Sequence, residues 1–320
     1  MTVVAVDSPR PPIVAIAGPT ASGKTAMAMR LADRMDVSII SVDSVMIYRG
    51  MDIGSAKPAP DLLERYPHAL VDICDPAEAY SVERFCNDAM TAIASARAAG
   101  RLPLLVGGTM MYFQALFQGL SRLPASDPAI RERLAAEAAE AGWPALHRRL
   151  AEVDPVAAER IHATDPQRIG RALEVYLGTG RSLTDWQREN PPRSPLAGER
   201  CLQVALWPQS TAHTRRAVAE RFDAMIEAGL IDEVRRLFER PDLHPGLPAL
   251  RAVGYRQVWG YLAGEYGFDE MRDRAITATR QLAKRQRTWL RSAPGWRARN
   301  AEATEATESL IMNFVAGKES

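Results

Sequence analysis

Short apolar runs rich in β-branched residues recur along the chain, and the first four are separated by segments with helical spacing. This alternation is typical of βα units, which build a parallel sheet with helices packed against it. In such a fold the loops that follow the strands meet at one edge of the sheet, where ligands bind. We therefore predict an α/β fold with a parallel sheet flanked by helices. The predicted strands cover residues 13–17, 37–42, 69–73, 102–106 and 201–207.

The long stretch between the fourth and fifth runs has a helical pattern only. Asp-Pro pairs begin at Asp127, Asp154 and Asp165, and Asp at the N-cap with Pro in the first turn is a typical helix start. We expect an all-helical insertion sub-domain. The predicted organisation is a core of residues 11–121 and 200–300, an insertion at 122–199, and tails at 1–10 and 301–320.

A glycine-rich loop follows the first predicted strand. Residues 18–25 read GPTASGKT, a complete GxxxxGK[ST] motif, so the fold is predicted to be P-loop NTPase-like. Backbone N–H groups and the positive end of the next helix dipole then point at one anion. Lys24 would neutralise phosphate oxygens, and the Thr25 hydroxyl would bind Mg²⁺. The predicted diphosphate site comprises Gly18, Pro19, Thr20, Ala21, Ser22, Gly23, Lys24 and Thr25.

Bulk composition excludes several classes of protein. The chain has 320 residues, a net charge of +1 and 47% hydrophobic residues, and no apolar stretch is long enough to span a bilayer. Its three cysteines are far apart, without a CxxC pair, which argues against a zinc site or a disulfide framework. We expect a cytoplasmic protein with no membrane partner.

Positive charge is concentrated near the end of the chain, where residues 280–299 contain no Asp or Glu. On a helix, Arg280, Lys284, Arg287 and Arg291 would form one stripe, which we call the basic stripe. Taken alone, a solvated helix face is about as plausible as contact with a polyanion.

Three carboxylates follow predicted strands and could face the phosphate loop. Asp43 ends the second run, so it would share the crevice with Lys24. It could cap the next helix, bind Mg²⁺ through water, or take a proton from a nucleophile. Asp72 and Asp75 could form a weak Walker-B-like strand end, although such residues more often form turns or caps.

Seven segments in fixed order give the sequence a more specific signature. Together they closely resemble the bacterial tRNA dimethylallyltransferases, and the resemblance covers about residues 12–292. Departures are minor: Ser55 replaces a common Thr, and Val45 and Met46 differ from the usual residues. The segments are GPTASGKT (18–25), SVDSVMIYRGMDIGSAKP (41–58), VDICDPAEAYSVERF (71–85), LPLLVGGTMMYF (102–113), DPQRIGRALEVY (165–176), RAVGYRQVW (251–259) and TRQLAKRQRTWLR (279–291).

The resemblance implies transfer of a dimethylallyl group from dimethylallyl diphosphate to N6 of the adenine on the 3′ side of the anticodon. By family position, Asp43 would accept the proton of that amine, and Thr109 would contact the target nucleotide. Lys24 and Arg221 would hold the diphosphate, with Mg²⁺ as cofactor. We expect a monomer.

The resemblance also implies contacts with the anticodon stem-loop of tRNA, from which the target base must be flipped out. Surface solubility is the alternative explanation for any single arginine of the set. Two other functions stay open: a small-molecule or nucleotide kinase, and a nucleotide-gated RNA-binding protein without transfer chemistry. The predicted tRNA contacts are Asp43, Ser44, Val45, Met46, Thr109, Arg131, Gln167, Arg168, Ile169, Gly170, Arg171, Arg251, Ala252, Val253, Gly254, Tyr255 and Arg256.

Overall fold

The computed structural model describes residues 10–208 and 210–318. The chain divides into two compact units. We call Met1–Phe113 with Gly198–Ser320 the core unit, and Gln114–Ala197 the insert unit.

A six-stranded parallel sheet forms the centre of the core unit, with strand order β3-β2-β4-β1-β5-β6. The predicted α/β fold with a parallel sheet flanked by helices is therefore confirmed. The strands are β1 Ile13–Ala17, β2 Val37–Val42, β3 His68–Ala69, β4 Leu102–Gly107, β5 Cys201–Trp207 and β6 Trp296–Asn300.

Two strand predictions differ from the structure. The third predicted strand, 69–73, is reduced to His68–Ala69, because Leu70 and Asp72 adopt positive φ values of 63° and 56° that end an extended conformation. The edge strand Trp296–Asn300 was not predicted. It carries charged and half-exposed residues, so it lacks the apolar run of a central strand.

Helices cover the sheet and make up most of the remaining chain. In the core unit they are α1 Lys24–Ala32, α2 Pro60–Arg65, α3 Val82–Ala98, α10 Thr211–Glu227, α11 Leu230–Phe238, α12 Tyr255–Leu262, α13 Phe268–Ser292 and α14 Thr304–Val315. Helix α4, Met110–Phe117, crosses into the insert unit, which also contains α5 Pro128–Ala141, α6 Trp143–Val153, α7 Pro155–Arg160, α8 Pro166–Thr179 and α9 Leu183–Glu189.

The last helix corrects the prediction of a tail at 301–320. Helix α14 buries Ile311 and Phe314 in the same cluster as β1 and α1. Glu308, 1% exposed, forms ion pairs with Arg30 and Arg34 of the region of α1. The acidic and polar residues of α14 obscure its apolar face in the sequence. The helix is part of the core and not a tail.

The structure confirms the predicted helix starts in the insert unit. The Asp127 carboxylate accepts hydrogen bonds from the Ala129 and Ile130 N–H groups. Asp154 and Asp165 cap α7 and α8 in the same way. The helices bury one apolar cluster of their own, which includes Leu134, Leu146, Leu150, Ile169 and Leu173.

Candidate active site

Three loops leave the sheet side by side at its carboxyl edge. Strands β2, β4 and β1 are neighbours, and Gly107 is in register with both Val42 and Ala17. The loops that begin at Asp43, Gly108 and Gly18 therefore start at the same level. Gly107 allows this close approach, because a Cβ there would lie 2.0 Å from the Val42 carbonyl oxygen.

The phosphate loop has the backbone shape that its sequence predicts. Ala21 and Gly23 have φ values of 65° and 76°, and such left-handed residues turn successive N–H groups toward one point. A Cβ on Gly18 would lie 2.3 Å from the Ser22 Oγ, so glycine is required. The Ser22 Oγ is buried without a hydrogen-bond partner in the described part of the chain. A bound anion would satisfy it.

Lys24 lies at the start of α1 and is held over this loop. Its Nζ donates a hydrogen bond to the Pro19 carbonyl oxygen at 2.9 Å. Burial lowers the pKa of Lys24 to about 8; the Asp43 carboxylate opposes this shift, and the Arg221 guanidinium adds to it. Burial also lowers the pKa of Arg221, again opposed by Asp43. Lys24, Asp43 and Arg221 are therefore close enough to influence one another's charge.

Asp43 shapes a turn and does not cap a helix. Its Oδ1 accepts hydrogen bonds from the Val45 N–H at 2.8 Å and the Met46 N–H at 3.2 Å. The next helix begins only at Pro60, so the helix-cap alternative fails. The Oδ2 accepts no hydrogen bond from any described residue, which leaves it available to a ligand.

Thr109 reaches the same turn from the loop after β4. Its Oγ1 accepts a hydrogen bond from the Ser44 N–H at 3.0 Å and contacts the Ser44 Oγ at 3.3 Å. The structure therefore brings Thr109, Asp43 and Ser44 together, with Val45 and Met46 half-buried beside them.

Thr25 could hold a divalent cation through its hydroxyl. Thr25 is half-buried, and its hydroxyl forms no hydrogen bond with a described residue. Within residues 10–208 and 210–318, no group of three or more His, Cys, Asp or Glu side chains could hold a metal. A single hydroxyl still fits Mg²⁺, because this ion usually keeps several waters and binds substrate phosphates.

The other strand-end carboxylates have structural partners. Asp72 pairs with the buried Lys57 at 2.5 Å. Asp75 accepts two hydrogen bonds from Arg240, which lowers the pKa of this carboxyl. We therefore do not assign a Walker-B role to either residue.

Predicted tRNA contacts in the insert unit fall into two groups. Gln167 and Arg168 are exposed at the start of α8. Arg131 and Arg171 instead bind the buried Glu174 carboxylate, and Arg171 also donates to the Pro124 carbonyl oxygen. The Glu174 contacts hold α5 and α8 together, so only part of each guanidinium is free for RNA.

Some residues predicted for RNA contact lie inside the protein. Ile169 is fully buried in the insert cluster, and Gly170 packs near Trp143. Their side of α8 faces other helices, and the structure does not support a direct RNA contact by the Ile169 side chain. The signal for this was the helical spacing of Ile169 with Ala172 and Leu173, which also face the cluster.

The segment 251–256 shows the same division. Arg251 and Arg256 are exposed, whereas Ala252 and Val253 are half-buried and Gly254 is buried. Tyr255 is fully buried, and its hydroxyl donates to the Glu233 Oε1 at 2.6 Å. We assign Tyr255 to packing and not to RNA contact.

The basic stripe lies on α13 as predicted. Arg280, Lys284 and Arg291 are exposed and form no ion pair within the described part of the chain. Arg287 is half-buried, and its guanidinium lies 5.8 Å from the centre of the Trp207 ring.

Sequence reasoning missed Gln286, which lies on the same helix and contacts the phosphate loop. Its Oε1 accepts a hydrogen bond from the Thr20 N–H at 2.9 Å, and its Nε2 donates to the Gly108 carbonyl oxygen at 2.8 Å. No local pattern predicts a contact between residues 266 positions apart.

Fold and site together define a P-loop α/β protein. The family model described as IPP transferase matches residues 46–293, and the one described as Isopentenyl transferase matches residues 11–72. The chain therefore belongs to the IPP transferase family, and it is a transferase. No helix in the described residues is long and apolar enough to cross a membrane.

Several known proteins are similar to this chain. A tRNA dimethylallyltransferase of Thioalkalivibrio sulfidiphilus is 58% identical over 89% of this chain and 88% of its own. That of Alkalilimnicola ehrlichii is 57% identical over 96% of each chain. The crystal structure of a full-length tRNA isopentenylpyrophosphate transferase from Bacillus halodurans matches with a TM-score of 0.70 at 33% identity, over 96% of this chain and 98% of its own. A eukaryotic dimethylallyltransferase acting on tRNA, 23% identical, has the same fold at a TM-score of 0.79, over 96% of this chain and 80% of its own.

Proposed function

We propose that this protein transfers the dimethylallyl group of dimethylallyl diphosphate to N6 of the adenine at position 37 of tRNA. The observation that carries the proposal is the cluster of Lys24, Asp43 and Arg221 at the phosphate loop. Two cations and an anion-binding loop lie beside one carboxylate. This arrangement suits a reaction that releases diphosphate from the allylic carbon and a proton from the attacking nitrogen.

The leaving group is stabilised by the loop. As the C–O bond to the allylic carbon breaks, negative charge grows on the diphosphate. Backbone N–H groups, Lys24 and Arg221 meet this charge where it develops, which is the most effective use of fixed positive groups. The unpartnered Ser22 Oγ supplies a further donor.

The nucleophile loses its proton to Asp43. The lone pair of N6 is delocalised into the adenine ring, so the amine gains from a proton acceptor as the new C–N bond forms. The turn fixes Oδ1 through two N–H bonds and leaves Oδ2 to accept that proton. Thr109, bound to Ser44, would position the flipped nucleotide beside Oδ2.

Mg²⁺ is proposed as the cofactor, and the Thr25 hydroxyl would bind it. Neutralisation of diphosphate charge is the chemistry that this ion supplies when bound. The phosphate oxygens themselves would be held by the loop N–H groups, Lys24 and Arg221.

Transfer RNA is the proposed partner, and its anticodon stem-loop would lie on exposed basic residues. Phosphate contacts would come from Arg168, Arg251, Arg256 and the exposed members of the basic stripe, Arg280, Lys284 and Arg291. A kinase with the same loop leaves these surfaces unexplained, and family membership favours prenyl transfer over it. We further propose that the protein acts in the cytoplasm as a monomer.

The test is transfer to tRNA by purified protein with Mg²⁺ and labelled dimethylallyl diphosphate, followed by nucleoside mass spectrometry. The wild type is expected to add one dimethylallyl group to adenosine. ATP consumption without this mass gain would favour the kinase instead.

Asp43→Asn is the decisive variant, because an amide oxygen can keep both turn hydrogen bonds but cannot take the proton. We expect turnover to fall at least ~100-fold, the usual contribution of a positioned base, with tRNA affinity nearly unchanged. Asp61→Asn, at an exposed position of α2, is the matched control. Activity of Asp43→Asn within a few-fold of the wild type would reduce Asp43 to a turn residue.

A further inference from the structure

Gln286 connects the two loops that flank the proposed diphosphate site. The residue is 7% exposed, and both ends of its amide are used: one by the Thr20 N–H and the other by the Gly108 carbonyl oxygen. Only one orientation of the amide satisfies a donor at one end and an acceptor at the other. The side chain is therefore fixed in position.

The hydrogen bond to Thr20 removes one N–H group from the anion cradle. Thr20 was predicted to bind diphosphate as part of the loop, but its N–H donates to the Gln286 Oε1, and its hydroxyl lies 3.5 Å from the same oxygen. The peptide plane between Pro19 and Thr20 is fixed as a result. Within the loop, the Ser22 N–H is also used, by the Pro19 carbonyl oxygen at 3.2 Å.

Ala21 needs such support because of its backbone conformation. Its φ of 65° is left-handed, a conformation that is unfavourable for a residue with a Cβ. Conformations of this kind persist only where the surroundings enforce them. The contact from α13 is a long-range restraint on the loop, and it acts one residue before the strained position.

We propose that Gln286 is a positioning residue that holds the phosphate loop in its anion-binding shape. This inference rests on the proposed function, since it assumes that the loop binds the diphosphate of the substrate. Gln286 itself touches no substrate atom in this role: it orients Thr20 and the amides that follow. Helix α13 thereby contributes the basic stripe on one side and a support for the loop on another.

Gln286→Met tests the proposal, because methionine keeps the length of the side chain and removes both hydrogen bonds. We expect the Kd of inorganic diphosphate, measured by calorimetry, and the KM for dimethylallyl diphosphate to rise about tenfold or more. Affinity for tRNA and kcat at saturating substrate are expected to change less than twofold. Gln281→Met, an exposed position on the same helix, is the matched control and should leave diphosphate affinity unchanged.

Gly108→Ala perturbs the same contact without removing Gln286. A Cβ there would lie 2.8 Å from the Gln286 Nε2, so it would displace the amide. The variant should weaken diphosphate binding in the same direction. The double variant should bind no more weakly than Gln286→Met alone, because both changes act through one contact. This pair also covers the case in which Gln286→Met does not fold.

The outcomes separate the two proposals. A diphosphate Kd within twofold of the wild type in Gln286→Met, or in Gly108→Ala if the first variant does not fold, overturns the positioning role. Fully additive effects of the two changes overturn it as well. Normal diphosphate binding by the wild type without any transfer to tRNA overturns the proposed function alone. A wild type that binds no inorganic diphosphate overturns both.

Discussion

Replacement of Lys24 by methionine should stabilise the unliganded protein while abolishing diphosphate binding. Folding places the Lys24 ammonium among buried groups and lowers its pKa from the ordinary 10.5 to about 8. At pH 7 this shift corresponds to a cost of about 3 kcal/mol for keeping the charge in the folded state. Methionine has similar length and carries no charge, so that cost disappears.

The gain is smaller than this figure because one hydrogen bond is lost. The Nζ donates to the Pro19 carbonyl oxygen, and such a bond contributes about 1 kcal/mol. We expect the free energy of unfolding of Lys24→Met to exceed that of the wild type by about 1–2 kcal/mol at pH 7. In the wild type, the buried charge of Lys24 therefore lowers stability and serves ligand binding, which is a common cost at functional sites.

The stability difference between Lys24→Met and the wild type should depend on pH in one direction. Between pH 8 and 10.5 the folded wild type binds fewer protons at Lys24 than the unfolded chain does, so its stability rises with pH over this window. The advantage of Lys24→Met is therefore complete below pH 8 and shrinks as the pH rises toward 10.5.

Urea unfolding at pH 7 and at a second pH near 9.5, without ligand, measures both effects. Lys284→Met, at an exposed position of α13, is the control and should show neither. Added inorganic diphosphate should stabilise the wild type but not Lys24→Met. A loss of more than about 1 kcal/mol on replacing Lys24, or an advantage that does not depend on pH, would refute the assignment of a costly buried charge.

Three further predictions concern the RNA surface and the core. Arg168→Ala should weaken tRNA binding and reduce the slope of log K against log salt by about 1, without changing diphosphate affinity; an unchanged slope removes Arg168 from the interface. Tyr255→Phe should cost about 1–3 kcal/mol of stability in urea unfolding, because Glu233 loses a buried donor. If Tyr255→Phe has normal stability but binds tRNA more weakly, the assignment of Tyr255 to packing alone is wrong and the predicted RNA contact is supported. Gly107→Ala should lower stability by about 3 kcal/mol, since its Cβ would overlap the Val42 carbonyl; a loss under about 1 kcal/mol would show that β2 and β4 can move apart.

The sheet was predictable where strands are central and apolar. Runs such as Ile13–Ala17 are fully buried, and buried parallel strands leave this pattern in the sequence. Strand Trp296–Asn300 pairs on one side only, with β5, so its residues need not be apolar. A pattern of buried residues therefore predicts the middle of this sheet better than its edge.

The site was predictable as far as its residues follow strands. Asp43, Thr109 and the phosphate loop come together because parallel strands end at one edge. Gln286 reaches the loop from a helix near the end of the chain, and its contact depends on packing that no local motif encodes. The reverse error occurred at Tyr255, where a match to a motif shows that a residue matters but not whether it faces solvent.

Strand β1 acquires its two neighbours at very different times during synthesis. It pairs with β4 near residue 104 and with β5 only from Cys201 onward. While the ribosome translates the intervening hundred residues, one side of an apolar strand offers unpaired N–H and C=O groups. An open edge of this kind favours aggregation of the nascent chain, and a chaperone that shields it would act before β5 emerges.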